Sequence, residues 1–411
     1  RDSSPSERWV MQELPSYDEA LRTVLDAVVC TSKTEYVPIS LSLTRILASD
    51  VLADRDFPPF NRSQMDGYAV RSDEIHRGVE LQVVGQIPAG STFEQHSPPN
   101  TCVAIATGAP VPEWCDAVIP HEQTNNSLDT VVFHCDKPSL NARMHMRGVD
   151  ALKGDVLVNC FTQLAPHHIG MCASVGLADV PVVTTPKVIV ITSGDEVVPI
   201  SETPKANQIR NSNNAMVSQA FKSMGCEIIA TLHVEDCLEA TRACMAESLH
   251  SNADIVVTVG GISAGKRDYF PEVFADAGVE TVLKGANIQP GKPIMVGTHA
   301  KTTVLGMPGN PVSALACACL FGWPVVRQMQ GMPAQLPWQV APLACDVKPN
   351  ATRQAFRPCV LENGRVSIPT WQGSGDLMHT VETNGLVQLP QSDADVLAGT
   401  QVSCVAYPWN E

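Results

Sequence analysis

Positive charge is scarce in this sequence: 28 lysines and arginines stand against 43 aspartates and glutamates, a formal net charge of -15. That balance excludes a general nucleic-acid surface. An anionic ligand would have to be held locally, by single lysines, backbone N–H groups or a bridging cation. Cys-x-x-Cys is missing, although the chain has 14 cysteines. The nearest pair is Cys317-Ala318-Cys319 inside an apolar run, and the adjacent pairs His167-His168 and His134-Cys135 have no second ligand pair at zinc-like spacing. These spacings argue against a zinc site or a disulfide framework, and for free thiols in a reducing, cytoplasmic compartment. No secretory signal opens the sequence, and Arg1 to Glu7 is polar and reads as frayed. An uninterrupted membrane-spanning run is missing too. The longest uncharged stretch, 306–326, is broken by Pro308, Pro311 and Pro324 and reads as a loop followed by a buried helix. Neither an internal repeat nor a low-complexity tract occurs.

What is present points to several domains, since 411 residues exceed what one hydrophobic core supports. The 27 glycines and 31 prolines favour many short elements. An amphipathic helix is expected over 16–29, where Tyr17, Ala20, Leu21, Val24, Leu25 and Val28 form one stripe behind Pro15-Ser16. A second helix is expected at 43–47, ahead of an extended 50–53. Between 57 and 147, short β-like runs at 81–85, 102–106, 117–119 and 130–133 are separated by Pro, Gly, Asn and Asp, which predicts a small β-rich domain. Between 186 and 330, strands at 188–192, 228–232, 255–259 and 304–305 alternate with helices at 214–224, 238–250, 270–277 and after Pro311. Gly225 and Gly278 stand where helix C-caps belong. Such alternation predicts a largely parallel, doubly wound sheet covered on both faces, with ligands bound outside the carboxyl ends of its strands. Beyond Pro333, strands at 344–347, 356–361, 365–368, 385–389 and 402–406 predict a C-terminal β domain.

Two glycine-rich turns follow strand-like runs of the α/β region. One is Gly260-Gly261-Ile262-Ser263-Ala264-Gly265-Lys266-Arg267-Asp268; the other is Gly306-Met307-Pro308-Gly309-Asn310-Pro311-Val312-Ser313. Glycine after a strand lets the backbone turn sharply and approach a ligand. A helix starting there offers free N–H groups and a positive dipole end to phosphate. Acidic residues lie beside them at strand ends: Asp195-Glu196, Glu235-Asp236 and Asp268. Each alone reads more readily as a helix N-cap. As a set beside two anion-binding turns, they point to a divalent metal bridging phosphate oxygens. Lys292 in Pro290-Gly291-Lys292-Pro293 is a candidate oxyanion contact. Asp66-Gly67 reads as a hairpin turn, and Thr107 offers a hydroxyl on a turn or plain loop.

Seven motifs then stand in order: PPFNRSQMDGYAVR (58–71), ATGAPVPEWCDAVIPHE (106–122), RGVDALKGD (147–155), TSGDE (192–196), GGISAGKRDY (260–269), PGKP (290–293) and GMPGNPVSA (306–314). Together they resemble the molybdopterin molybdenumtransferase family, the MoeA and gephyrin E-domain proteins, from about Pro15 to the end of the chain. The resemblance implies a multidomain α/β plus β fold. A three-layer doubly wound MogA-like domain (13–32 and 186–332) would be joined by a β-rich insertion domain (53–152), an elongated linker domain (33–52 and 153–185) and a C-terminal β-barrel-like domain (333–411). It implies Mg²⁺-dependent insertion of molybdate into adenylylated molybdopterin with release of AMP. An elongated homodimer in the cytoplasm is implied as well, working with the molybdopterin adenylyltransferase and with molybdoenzyme clients, and with neither nucleic acid nor membrane as partner.

By motif, Glu196, Asp236 and Asp268 would be the metal and phosphate carboxylates, while Asp66, Thr107 and Asp150 would serve catalysis from the second subunit. Gly260, Gly261, Ser263, Gly265, Pro308, Gly309, Asn310, Pro311 and Ser313 would shape the substrate site, with Lys292 and Arg357 as cationic donors to molybdate. Five positions depart from the family pattern: Gln289 for a common lysine, Val259 for a common serine, Lys266-Arg267 where acidic or mixed residues are frequent, and Val149 for the usual glutamate. Gln289 removes one positive charge from the implied oxyanion pocket and leaves the choice between molybdate and tungstate open. The preceding adenylyltransferase shares the α/β domain but usually lacks segments such as 33–185 and 333–411. A non-catalytic carrier or scaffold is the alternative from another class, and four retained carboxylates speak against it.

Overall fold

The computed structural model describes residues 13–30, 33–263, 265 and 267–409. The frayed start expected at Arg1 to Glu7 and the position of Lys266 lie outside them. The chain separates into two compact units, one of residues 1–36, 44–48 and 181–411, the other of 37–43 and 49–180.

The first helix, α1 (Tyr17–Ala27), begins where the sequence signals it. Ser16 Oγ accepts the Glu19 N–H while Glu19 Oε2 accepts the Ser16 N–H at 2.9 Å, a reciprocal cap. Its stripe buries Tyr17, Ala20 and Val24.

In the smaller unit, β1 (Val51–Leu52) pairs with the later segment Val156–Val158, and β2 (Arg62–Ser63) pairs with Met144–His145. A five-stranded mixed sheet is built from β3 (Gly67–Val70), β4 (Glu80–Ile87), β5 (Thr101–Ile105), β6 (Ala117–Pro120) and β7 (Thr130–Val132), in the order β6-β3-β5-β4-β7. Its strands alternate as pleating requires: Tyr68 and Val70 enter one buried cluster and Ala69 another on the opposite face. Then follow β8 (Met144–His145), β9 (Val156–Val158) and α2 (Pro166–Ser174).

Two expectations fail. No helix forms at 43–47: a 3-10 turn at Ile39–Leu41 precedes Thr44 at φ +64°, a left-handed conformation incompatible with helix, and Leu47 instead bridges Val182. Asp66-Gly67 is not a hairpin turn either. Gly67 opens β3 between β5 and β6, where an added Cβ would lie 2.0 Å from the Ile119 carbonyl oxygen.

The larger unit carries the α/β layer. Its strands and helices run β10 (Lys187–Ser193), α3 (Ser212–Ser223), β11 (Glu227–Val234), α4 (Leu238–His250), β12 (Ile255–Val259), α5 (Phe270–Asp276), β13 (Glu280–Lys284), β14 (Met295–His299) and β15 (Thr302–Met307). The sheet order is β11-β10-β12-β15-β14-β13; the first four are mutually parallel, and β14 pairs antiparallel with both β15 and β13. Val188, Val190, Val257 and Leu305 bury against the helices on one face, Ile189, Ile191, Val256 and Val304 against α4 and α5 on the other. This is the doubly wound core the alternation predicts, with an antiparallel edge it does not.

The last helical run consists of α6 (Pro311–Cys317), a π-helical turn (Ala318–Gly322) and α7 (Trp323–Met329). Among the described residues it alone has the length and hydropathy of a membrane span, and its apolar window is 83% buried inside the protein. Pro324 has no N–H to return to the Leu320 carbonyl four residues earlier. The buried Tyr17 hydroxyl donates to that oxygen at 3.1 Å. The Tyr17 ring stands edge-on to Phe321 and Phe356.

Beyond it, β16 (Gln339–Pro342), β17 (Gln354–Glu362), β18 (Arg365–Ser367), β19 (Gly385–Leu389) and β20 (Gln401–Ala406) curl into a ring. Pairing runs β18-β17-β19-β20-β16, and the Ala344 N–H donates to the Val366 carbonyl beside a Leu343–Val366 bridge, closing β16 onto β18. The strand expected at 344–347 falls instead at Gln339–Pro342, a half-exposed edge without an apolar pattern to read.

Candidate active site

A cavity of about 720 Å³ opens at the carboxyl ends of β10, β12 and β15, within the larger unit. Its walls are the loops that leave those strands. Ser193, Gly194 and Glu196 come after β10; Asp236 comes after β11; Gly260 to Ser263 and Asp268 come after β12; Pro308 to Pro311 come after β15.

The glycines there are required. Gly260 (φ +96°) and Gly261 (φ +63°) adopt conformations that L side chains rarely take, and added Cβ atoms would meet the Ser193 hydroxyl at 3.1 and 3.0 Å. A Cβ on Gly309 would stand 3.3 Å from the Gly260 Cα, so the two turns touch. Asp268 closes its own turn: its Oδ2 accepts the Gly265 N–H at 3.1 Å, and its N–H donates to the Gly265 carbonyl.

Asp236 lies between opposing influences. Burial raises its pKa first, and the nearby charges of Asp195 and Glu196 raise it further, against the Asp195 backbone N–H and Arg267. Asp195 organises this corner by accepting the Asp236 N–H at 3.0 Å and Arg267 Nη1 at 3.2 Å. The sequence singled out Glu196 over its neighbour and gave Arg267 no role; nothing local signals that Asp195 and Arg267 meet across 72 residues.

Asn213, in the first turn of α3, donates its Nδ2 to the Gly309 carbonyl at 2.6 Å, and its Oδ1 is buried without a partner. The segment between β18 and β19 also contributes: Asn310 Nδ2 donates to Ser374 Oγ at 2.9 Å, and Gly375 and Leu377 line the cavity. Gly373-Ser374-Gly375 was the available sequence signal for that loop.

Glu196, Asp236 and Asp268 share this wall, yet among the described residues no three carboxylates, histidines or cysteines are arranged to hold a metal by themselves. The three carboxylates stand along the cavity wall as an open acidic rim. The expected cationic donors are not gathered either. Lys292 is exposed on the turn before Pro293, which does line the cavity. Arg357 is held inside the C-terminal ring, where Nη2 donates to the Lys348 carbonyl at 2.8 Å, the guanidinium packs 5.5 Å from the Trp371 ring centre, and burial lowers its pKa. Ser313 is buried in the first turn of α6, and Gln289 Oε1 is engaged by Asn350 Nδ2 at 2.6 Å.

The remaining expected residues lie in the smaller unit. Asp66 Oδ1 accepts both the Thr107 N–H (2.7 Å) and the Thr107 hydroxyl (3.1 Å), and these bonds hold its carboxyl below the usual range. Asp150 Oδ1 faces His145 Nε2 at 3.0 Å. A smaller cavity of about 390 Å³ at the opposite strand ends, lined by Lys33, Lys187, Asp254 and Lys301, carries neither glycine turn.

Three family models match the chain in sequence order: the MoeA N-terminal region (domain I and II) over 15–176, a probable molybdopterin binding domain over 189–328, and the MoeA C-terminal region (domain IV) over 340–407. Among curated relatives, the molybdopterin molybdenumtransferase of Haemophilus influenzae is 32% identical over 94% of this chain and 97% of its own. The molybdopterin molybdenumtransferase 2 of Mycobacterium tuberculosis is 31% identical, over 89% and 94% respectively. Two structures of the molybdopterin biosynthesis MoeA protein of Pyrococcus horikoshii superpose with a TM-score of 0.83, at 28% and 26% identity, each covering 96% of this chain and at least 99% of theirs.

Proposed function

The chain belongs to the molybdopterin molybdenumtransferase family, and on that premise we propose that its carboxyl-end cavity takes adenylylated molybdopterin, inserts molybdate at the dithiolene and hydrolyses the adenylyl–phosphate bond. Molybdenum insertion in cofactor biosynthesis is the coarser function that the kinship carries. The observation supporting the finer one is the meeting, in a single cavity, of two touching glycine turns with the carboxylates Glu196, Asp236 and Asp268.

Backbone N–H groups of the turns bind phosphate oxygens with no side chain in the way. The carboxylates would repel those oxygens without a cation between. Mg²⁺ fits this donor set because it needs only one or two carboxylates beside substrate phosphates and water, and Asp236, its pKa raised by burial and then by the charges of Asp195 and Glu196, stands to gain from a cation. Bound there, it supplies charge neutralisation at the phosphoanhydride. Water adds across that linkage, leaving AMP and the pterin phosphate.

Asn213 Oδ1 has an unmet need for a donor, which an N–H of the pterin or adenine supplies. Lys292, whose neighbour Pro293 lines the cavity, is the cation assigned to the oxyanion. Asp66, Thr107 and Asp150 act from a second copy of the chain in a homodimer, where Asp66 fixes the Thr107 hydroxyl. The division into α/β, insertion, linker and C-terminal domains given above belongs to the same reading, as do a cytoplasmic setting, the adenylyltransferase as donor of substrate and molybdoenzymes as clients.

The test is AMP release from adenylylated molybdopterin with and without Mg²⁺, titrating molybdate and separately tungstate. Release that depends on Mg²⁺ and responds to oxyanion is the expected result. Tight substrate binding without AMP release under either oxyanion would replace the enzyme with a carrier or scaffold.

A further inference from the structure

In the smaller unit, β2 and β8 place Arg62 directly opposite His145. Arg62 Nη2 stands 3.0 Å and Nε 3.3 Å from His145 Nδ1. On the far side of the ring, His145 Nε2 stands 3.0 Å from Asp150 Oδ1. The chain reaches Asp150 through a turn at Gly148 (φ +72°), whose N–H donates to the Pro58 carbonyl, and the Asp150 N–H is fixed on the Phe57 carbonyl at 2.9 Å.

The donor inventory gives this row of side chains a direction. A guanidinium has five N–H donors, no acceptor, and does not lose its proton in a protein. His145 Nδ1 therefore accepts, and in the neutral ring the only proton is on Nε2. That proton points at Asp150, which as a carboxylate can only accept. Every bond in the row is satisfied in one tautomer and in no other.

We propose that Arg62 and His145 are positioning residues: Arg62 fixes the His145 tautomer, and His145 Nε2–H holds the Asp150 carboxylate in its working orientation. The proposal rests on the reading of Asp150 as a functional carboxylate of the molybdenumtransferase reaction. The carboxylate has need of a support, because its side chain is 55% exposed whereas that of His145 is 25% exposed. A half-exposed aspartate otherwise samples several rotamers, and holding one in place is what such an outer partner contributes.

The first readout is independent of activity. In the full-length protein labelled with ¹⁵N-histidine, long-range ¹H–¹⁵N correlation, assigned with a His145→Ala control, reports the ring tautomer. The expected result is Nε2–H in the wild type, a mixed population in Arg62→Met, and Nε2–H again in Arg62→Lys. The second readout is steady-state AMP release. Asp150→Asn, His145→Ala and Arg62→Met should each lower kcat on the order of ten- to a hundredfold with little change in KM, since misplacement without lost binding acts on kcat. The His145→Ala/Asp150→Asn double variant should be no slower than Asp150→Asn alone, because both remove one interaction.

An Nδ1–H tautomer in the wild type overturns the proposal. So does full activity of His145→Ala beside an impaired Asp150→Asn, or a silent Asp150→Asn in an enzyme that otherwise releases AMP. If the wild type releases no AMP at all, the functional reading fails, and the tautomer measurement still decides whether the relay exists.

Discussion

Asp236 illustrates a residue held against its own preference. Burial and the charges of Asp195 and Glu196 favour its protonated form. A carboxyl whose native pKa is raised adds stability below the ordinary aspartate range and loses it as pH rises through the native value. The ionised side chain therefore burdens the fold at neutral pH. Asp236→Asn should melt at a higher temperature than the wild type at neutral pH, and the two should converge below about pH 4. Partial exposure keeps the gain small, below about 1 kcal/mol. The same variant should lose AMP release, the usual cost of a site built for function. Unchanged melting at both pH values would mean the crowding is relieved by solvent. At this scale the sequence pointed to Glu196, Asp236 and Asp268 because each lies in a loop that leaves a strand, and all three line one cavity. It did not reveal Asp195 as the hub, Arg267 as its partner, Asn213 as an orphan acceptor, or Arg62 against His145. Each of those facts is a pairing between distant segments, and only the fold creates it.

Among the elements, the helical run from α6 through α7 is the most constrained. Its proline leaves a carbonyl wanting, and α1 supplies the donor from some 300 residues away in sequence, through Tyr17. Tyr17→Phe keeps the ring packing on Phe321 and Phe356 and removes only the hydroxyl, so it should cost about 1–2 kcal/mol. A lower urea midpoint with an unchanged m-value is the measurement; an unchanged midpoint would show that water replaces the bond. Elements with a buried stripe were the legible ones. The strands Ile255–Val259 and Gly385–Leu389 and the helix Leu238–His250 match their expected bounds, because burial writes apolar periodicity into them. The edge pair β13 and β14 escaped notice: Glu280–Lys284 has one buried residue, too few for a strand pattern. The helix expected at 43–47 is absent, and nothing in the residue types there signals the φ +64° at Thr44.

For the whole molecule, composition and motif order sufficed to indicate an α/β core with flanking β structure. The C-terminal ring closes as the β-barrel-like domain implied by the motif order, but the contact that closes it is not legible in the sequence: the Ala344 N–H, outside any regular strand, donates to the Val366 carbonyl of β18. The rim of Glu196, Asp236 and Asp268 has a further thermodynamic consequence. A mouth lined with negative charge disfavours an anionic guest and favours a cation, so under the proposed function the two ligands would not bind independently. Under the proposed function that coupling would be reciprocal: whatever factor Mg²⁺ contributed to the affinity for adenylylated molybdopterin, the nucleotide would return to Mg²⁺. Calorimetric titration of each ligand in the absence and presence of the other should yield two equal ratios, both above one. Ratios of one would mean that cation and guest ignore each other, and that the acidic rim serves some purpose other than capture.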